Sequence, residues 1–161
     1  MATLKTGDRA PNFELPSQTG EKVSLTHLTT KGPVVVYFYP KDETPGCTKE
    51  ACAFRDAYDV FQGAGAAVVG ISSDSVDSHQ GFAKKHGLPF LLLSDSSGEV
   101  RKSFGVPSTL GLLPGRMTFV IDRGGVIQHT FNSQLFASKH VQEAITVVKK
   151  LAQEAGAPAA R

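Results

Sequence analysis

The chain has little cysteine, no tryptophan and no long apolar run. Two cysteines among 161 residues are too few for a disulfide scaffold, which favours an intracellular, reducing environment. No apolar stretch approaches the roughly 20 residues of a membrane span. No signal peptide opens the chain, so we expect that a targeting segment was removed or never existed.

An excess of charge of one sign is also missing. The net charge is +2, and the basic pairs Lys84-Lys85 and Lys149-Lys150 form no stripe with aromatic residues. Nucleic-acid binding is therefore not expected.

What the chain contains fits one globular domain over residues 1–161. Its 40% hydrophobic and 20% charged residues are typical of a soluble protein of this size, which buries a core without disulfides. There is no internal repeat and no linker. We expect residues 153–161 to be a frayed tail.

The hydrophobic pattern predicts strands that alternate with helices. The run "PVVVYFYP" suits a central strand buried on both faces, which Pro40 ends. Two short extended segments precede it, and further strands are predicted at "AAVVGISSD", "PFLLLSD", "GRMTFVID" and "GVIQHTF". Helices are predicted at 44–61, at "SVDSHQGFAKKHG", at "SGEVRKSFG" and at "SKHVQEAITVVKKLAQ". The result is an α/β domain with a mixed central sheet.

Both cysteines lie at the start of the predicted helix 44–61. Thr44 has the hydroxyl of an N-cap, Pro45 suits the first helical position, and Gly46 allows a close approach of the backbone. Cys47 thus falls in the first turn, where free N–H groups and the positive helix end favour a thiolate.

Helical spacing places Cys47 at the top of the apolar stripe of this helix. The stripe consists of Cys47, Ala51, Phe54, Tyr58 and Phe61. Cys47 is therefore expected beneath the end of the central strand, where α/β folds build anion and substrate sites.

Cys52 lies on another side of the same helix. Five helical residues rotate it by about 140° and raise it by about 7.5 Å relative to Cys47. A disulfide needs Cα atoms within about 7 Å, so the two thiols can bond only if the first turn or two unwind.

The residues alone leave other uses of the cysteines open. Free cysteine is often a small buried hydrophobe, and this reading competes most strongly for Cys52. Metal binding is disfavoured, because a five-residue gap is not that of zinc pairs. The histidines are scattered, and each is expected to be a surface or capping residue; they are His27, His79, His86, His129 and His140.

The segment "PKDETPGC" resembles the Pro-x-x-x-Thr-x-x-Cys motif of peroxiredoxins, at Pro40, Thr44 and Cys47. "CTKEAC" is similar to the Q-type, or bacterioferritin-comigratory, subfamily, in which the resolving cysteine, here Cys52, lies five positions further on. "LPGRMTFVID" resembles the segment that supplies an active-site arginine, here Arg116. The likeness covers nearly the whole chain, and several segments look like plant plastid members.

The resemblance implies a thioredoxin-like fold with an N-terminal β-hairpin, and reduction of hydrogen peroxide or organic hydroperoxides. Cys47 would attack the peroxide, Arg116 and Thr44 would orient sulfur and peroxide, and Pro40 would shield the sulfur. Glu50 would hold Arg116. The alternatives are a snorkelling surface residue for Arg116, an exposed acid for Glu50, a helix cap for Thr44 and a strand terminator for Pro40.

The implied cycle ends with a Cys47–Cys52 disulfide that thioredoxin reduces, without cofactor or metal. A monomer in the plastid is favoured, with the bacterial cytoplasm as the alternative location. A non-enzymatic redox sensor could use the same disulfide. A thiol–disulfide oxidoreductase acting on proteins is a third reading, but it normally requires "CxxC", which the chain lacks.

Overall fold

The computed structural model describes residues 2–108, 114–134 and 136–156. The strands are β1 (Glu14–Pro16), β2 (Lys22–Ser24), β3 (Val34–Phe38), β4 (Ala67–Ser72), β5 (Leu91–Ser94), β6 (Met117–Ile121) and β7 (Ile127–Asn132). The helices are α1 (Leu25–Thr29), α2 (Pro45–Asp56), α3 (Tyr58–Gly63), α4 (Val76–His86), α5 (Glu99–Ser103) and α6 (Ala137–Gly156). Within the described ranges, none of these helices combines the length and apolarity that crossing a membrane requires.

Five of the strands form one mixed sheet in the order β5-β4-β3-β6-β7. β3 and β4 are parallel, as are β4 and β5, whereas β6 runs antiparallel to both β3 and β7. β1 and β2 pair antiparallel as a separate hairpin. The mixed sheet and the N-terminal hairpin are thus confirmed.

β3 is the centre of the sheet, and all five of its residues are buried. Its side chains alternate between two apolar clusters, because a strand directs successive side chains to opposite faces. Val35 and Tyr37 pack with residues of α2, α3, α4 and α6. Val36 and Phe38 pack with the N-terminal segment and with Phe104, which follows α5. The uniform apolarity of "VVVYF" reflects cover on both faces.

The prediction of one continuous helix over 44–61 is wrong in one respect, because the structure has two helices there, α2 and α3. Ala57 at the junction has φ −97° and ψ 6°, outside the helical range. No glycine or proline marks this point in the sequence. Phe54 and Phe61 are both fully buried on either side of the break, so the core packing predicted for the apolar stripe is retained.

Helix α1 was not predicted, although Ser24 before it is a typical N-cap residue. The Ser24 hydroxyl accepts a hydrogen bond from the backbone N–H of His27 at 3.2 Å, which is the N-cap interaction. With five residues, α1 is too short for a periodic apolar pattern.

Helix α6 follows the predicted amphipathic segment. Val141 and Val148 are buried, and Ile145 and Leu151 pack against the same cluster. The helix continues to Gly156, into the segment expected to be frayed. Residues 157–161 lie outside the described residues.

The expectation that every histidine lies on the surface or caps a helix is wrong for His79 and His140. Both are fully buried. His79 hydrogen-bonds Asp42 at 2.7 Å and the carbonyl oxygen of Leu93 at 3.0 Å. Burial is tolerated because both ring nitrogens have partners.

Candidate active site

Cys47 occupies the first turn of α2, as the sequence predicts. Pro45 begins the helix, and Thr44 before it has extended backbone with φ −84° and ψ 151°. The Cys47 side chain is 1% exposed and belongs to the same core cluster as Tyr37 and Tyr39 at the end of β3. The sulfur therefore lies at the junction of the central strand and a helix N-terminus, where backbone dipoles favour negative charge.

Arg116 reaches Cys47 because of the antiparallel register of β3 and β6. Met117, the first residue of β6, pairs with Phe38, the last residue of β3, so the residue before β6 lies beside the segment that leads into α2. Arg116 Nη2 donates a hydrogen bond to Cys47 Sγ at 3.4 Å. The side chain of Arg116 is buried, which contradicts the alternative of a snorkelling surface residue.

Gly46 makes room for this contact. A Cβ atom at position 46 would lie 2.9 Å from Arg116 Nη2, closer than nonbonded carbon and nitrogen atoms pack. The absence of a side chain thus lets the guanidinium approach the first turn of α2, as expected for a glycine at a close backbone contact.

Glu50 holds the other side of the guanidinium. Arg116 Nη1 donates to Glu50 Oε1 at 2.5 Å, and Glu50 is fully buried, so the alternative of an exposed acid is wrong. Burial raises the pKa of Glu50 to about 8, against the lowering effect of the Arg116 charge. Burial lowers the pKa of Arg116, but the charges of Glu50 and Cys47 outweigh it and raise the value overall. The guanidinium therefore stays charged beside the sulfur.

The other two predicted site residues, Pro40 and Thr44, lie in the segment between β3 and α2. Thr44 is at the N-cap position, but its hydroxyl donates to the carbonyl oxygen of Lys41 at 2.8 Å and makes no capping bond. The threonine oxygen retains lone pairs that can accept a hydrogen bond. Pro40 follows the end of β3 and is half-buried. Its shielding of the sulfur stays a prediction.

Sequence reasoning missed Arg101. Its two terminal nitrogens donate to the carbonyl oxygens of Tyr39 and Gly115, each at 2.7 Å. These bonds join the end of the β3 segment to the residue before Arg116. Burial lowers the pKa of Arg101, while the charges of Asp95 and Cys47 raise it. No local signal marks this arginine, because its partners are distant in sequence.

His140 was also missed as a neighbour of the site. Its Nδ1 lies 3.7 Å from Glu50 Oε2 and 2.7 Å from the Thr118 hydroxyl, and its Nε2 lies 2.8 Å from the carbonyl oxygen of Ser133. Since a carbonyl only accepts, Nε2 carries the proton and Nδ1 accepts from Thr118. Burial lowers the pKa of His140 to about 4; the Ser133 bond opposes this shift and the Arg116 charge adds to it. Glu50 thus has a neutral imidazole on its far side.

Cys52 is a half-buried free thiol on another side of α2, and Cys47 is also free. α2 is continuous from Pro45 to Asp56, so the helical rise separates the two residues by about 7.5 Å along the axis. The Cys52 sulfur lies 4.0 Å from His86 Nδ1. His86 is 34 residues away along the chain, and the spacing of the histidines in the sequence did not predict this contact.

One group of side chains in the described part of the chain has the composition of a metal site. Asp42, Asp74 and His79 bring ligand atoms within 4.8 Å of one another. These atoms already have partners: His79 Nδ1 bonds Asp42, and Asp74 Oδ2 accepts from Ser72 and from the Asp42 backbone. The cluster is a buried hydrogen-bond network.

A buried sulfur at a helix N-terminus, in contact with an arginine, is suited to nucleophilic attack on an electrophilic atom. Comparison with known proteins specifies the chemistry. Residues 6–130 match the model of the AhpC/TSA family. Chloroplastic peroxiredoxin Q of Sedum lineare is 55% identical over 152 residues, which cover 94% of this chain and 81% of the relative.

Solved structures of similar proteins point to the same family. Peroxidoxin BcpB of Mycobacterium tuberculosis is 42% identical, with a TM-score of 0.85 over 91% of this chain and 97% of that chain. The bacterioferritin comigratory protein of Xanthomonas campestris, studied for its alkyl peroxide reduction activity, is 30% identical, with a TM-score of 0.78 over 87% and 92% of the two chains. The predicted thioredoxin-like fold is confirmed. The chain therefore belongs to the AhpC/TSA family, as a Q-type peroxiredoxin with thiol-dependent peroxidase function.

Proposed function

We propose that this peroxidase works through Cys47 as the peroxide-reducing thiolate and Cys52 as the resolving thiol, with thioredoxin as the reductant. The observation that carries the proposal is the 3.4 Å contact between Arg116 Nη2 and the buried Cys47 sulfur. A fixed positive charge beside a sulfur favours its thiolate form and can bind the oxygen that gains charge as a peroxide bond breaks.

In the first step, the Cys47 thiolate attacks the terminal peroxide oxygen. An S–O bond forms and the O–O bond breaks, which gives a sulfenic acid and releases water or an alcohol once the leaving oxygen takes a proton. Arg116 donates to the peroxide during this step. Its Nε is buried without a partner among the described residues, so the guanidinium retains a donor. Thr44 orients the peroxide, and Pro40 limits access of water.

In the second step, the Cys52 thiol attacks the Cys47 sulfenic acid, forms the disulfide and releases water. The two residues occupy one continuous helix, so the first turns of α2 must open before the sulfurs can meet. Opening removes Cys47, Glu50 and Ala51 from buried positions. Thr48 and Lys49 are polar and half-buried or exposed, so they resist opening little.

Thioredoxin is proposed as the donor because the opened disulfide would be accessible and the chain has no "CxxC" of its own.

We propose a monomer, because Phe136 is the one large hydrophobic side chain that is exposed in the described part of the chain. Stable dimers usually bury larger apolar patches.

The relatives that carry chloroplastic names support a plastid location, with the bacterial cytoplasm as the alternative. Fractionation of source cells with an antibody against the chain would distinguish the two compartments.

A coupled assay with thioredoxin, thioredoxin reductase and NADPH tests the cycle. We expect rapid, repeated consumption of hydrogen peroxide and of organic hydroperoxides. Cys47→Ser should be inactive, and full turnover by this variant would overturn the assignment of Cys47.

Cys52→Ser should form the sulfenic acid once and then stall. Continued thioredoxin-linked turnover by Cys52→Ser would show that Cys52 does not resolve.

A redox sensor with the same disulfide would behave differently. It would consume peroxide only in stoichiometric amount under the same conditions, because its oxidised form would persist as the signal.

A further inference from the structure

The environment of Cys52 contains a second functional arrangement, formed by three segments that are distant in sequence. His86 is the last residue of α4, and its Nδ1 lies 4.0 Å from the Cys52 sulfur. The other ring nitrogen, Nε2, lies 3.3 Å from Glu43 Oε1, in the loop between β3 and α2. Thiol, imidazole and carboxylate therefore follow one another, the order in which cysteine nucleophiles are activated elsewhere.

The imidazole is held in place on two further sides. Phe82 packs edge-on against the ring, with centroids 5.1 Å apart. Arg55 Nη1 donates to the backbone carbonyl oxygen of His86 at 2.7 Å. Arg55 lies three residues after Cys52, so this bond ties the turn of α2 that carries the thiol to the end of α4.

The carboxylate has an unusual backbone. Glu43 has φ +63°, the one non-glycine residue of the described ranges in the left-handed region. Non-glycine residues in this conformation cluster at functional positions. Glu43 is also 3.6 Å from the Lys85 ammonium. Glu43 Oε1 thus lies between the Lys85 ammonium and the His86 ring.

We propose that His86 is the general base that activates Cys52, and that Glu43 is the positioning residue that orients the imidazole. This role rests on the proposed resolving function of Cys52. With the Nε2 proton donated to Glu43, Nδ1 is free to accept the proton of the Cys52 thiol. Arg116 belongs to the other cysteine site, where it contacts Cys47 and Glu50.

The Cys52 S–H bond breaks and His86 Nδ1 takes the proton. The sulfur electron pair then forms the S–S bond with Cys47 as the S–O bond of the sulfenic acid breaks. Cys52 is oxidised, Cys47 is reduced by the same amount, and the departing hydroxide takes a proton and leaves as water.

The opening of α2 is compatible with this role. Arg55 and its bond to the His86 carbonyl lie after Cys52 in α2, so residues before Cys52 can unwind while the thiol stays beside the imidazole. Cys47 then moves to Cys52, and the base does not have to move.

Charged groups surround the imidazole on three segments: Glu43 in the loop before α2, Arg55 in α2 and Lys85 in α4. These three residues lie at the surface or are half-buried, so high salt should weaken their charge interactions.

The first test measures the thiol without peroxide. In the Cys47→Ser background, the rate of Cys52 alkylation by iodoacetamide is followed at about pH 7 and about pH 9.5. We expect His86→Asn to react about tenfold more slowly at the lower pH and equally fast at the higher pH, where hydroxide removes the proton without help. A purely structural defect would not vanish at high pH. The matched control is His129→Asn, which removes a histidine of β7 paired with Glu143 of α6 at 2.7 Å and should change neither rate.

The second test follows a single turnover of the chain with both cysteines, by acid quenching and mass spectrometry. His86→Asn should slow disulfide formation about tenfold at neutral pH and accumulate the sulfenic acid. Glu43→Gln should give a smaller slowing of the same step.

The outcomes separate the two proposals. Alkylation and disulfide formation that are unchanged in His86→Asn at every pH would overturn the role of His86 and leave the peroxidase cycle intact. If the wild-type chain forms no internal disulfide, the resolving function of Cys52 fails and the role of His86 fails with it.

Discussion

Arg116 is the residue on which the chemistry of Cys47 most depends. One planar guanidinium contacts the sulfur through Nη2 and Glu50 through Nη1, which a lysine ammonium cannot reproduce in one geometry. We expect Arg116→Lys to lower the rate constant of Cys47 oxidation by about ten- to a hundredfold, the effect of losing one hydrogen bond to a charged group. Stopped-flow competition for hydrogen peroxide measures this rate.

Arg123→Lys serves as the control for that substitution, because Arg123 is exposed. An Arg116→Lys rate equal to that of wild type would show that the guanidinium does not assist the sulfur.

Gly46 offers a test of the same contact from the opposite side. Alanine at this position would place Cβ 2.9 Å from Arg116 Nη2, so the guanidinium has to move away from Cys47. We expect a rate of Cys47 oxidation lower by about tenfold, because small displacements of catalytic groups are costly. Gly81→Ala in α4, where a Cβ meets nothing within 4 Å, should leave the rate unchanged. Equal rates for the two alanine variants would contradict the close-approach argument.

His140 gives the chain an acid-sensitive component of stability. Its pKa is lowered from 6.5 to about 4 by burial, so between these values the unfolded chain binds a proton that the folded chain does not. The stabilising contribution is therefore fully present above about pH 6.5 and is lost as pH falls toward 4, by at most roughly 3 kcal/mol.

Urea unfolding of wild type and His140→Gln from pH 4 to pH 7 measures this component. Glu50, whose pKa is raised to about 8, has the opposite slope between about pH 4.5 and 8, because the folded chain then binds the extra proton. The difference between wild type and variant isolates His140. A difference that does not change with pH would show that His140 is not a buried neutral imidazole.

At the scale of the elements, α2 is both the scaffold of the reduced site and the barrier to its resolution. Oxidation should unwind the turns from Pro45 to Ala51, because the Cys47–Cys52 disulfide does not fit an intact helix. Hydrogen exchange of the oxidised chain should show faster exchange in these turns and little change in α4. Circular dichroism should show lost helix.

Cys52→Ser provides the control, since it is oxidised at Cys47 without forming the disulfide and should keep its protection. Equal protection of α2 in the reduced and disulfide forms would rule out local unfolding.

Local patterns predicted the elements well where one physical cause dominates. The start of α2 follows from Thr44, Pro45 and Gly46, and the two-sided burial of β3 follows from its unbroken apolar run. The break at Ala57 was not predictable, because no residue there disfavours a helix.

At the scale of the whole molecule, the site depends on contacts that no local pattern contains. Arg116 meets Cys47 only because β6 pairs antiparallel with β3, and the residues alone did not choose between a surface arginine and a catalytic one. The resemblance to peroxiredoxins supplied that choice. The pairing of Cys52 with His86 requires α4 to end beside α2, and the burial of His140 requires α6 to cover β6 and β7. These features follow from topology, so they were seen only in the structure.

In the proposed cycle, one chain carries every step from Cys47 oxidation to an internal disulfide. The most direct test is the mass spectrum of the reduced protein after one equivalent of hydrogen peroxide, with peptide mapping under non-reducing conditions. We expect a single chain that has lost two hydrogen atoms and yields a Cys47–Cys52 cross-linked peptide. A stable gain of one oxygen atom, or a covalent dimer, would contradict it.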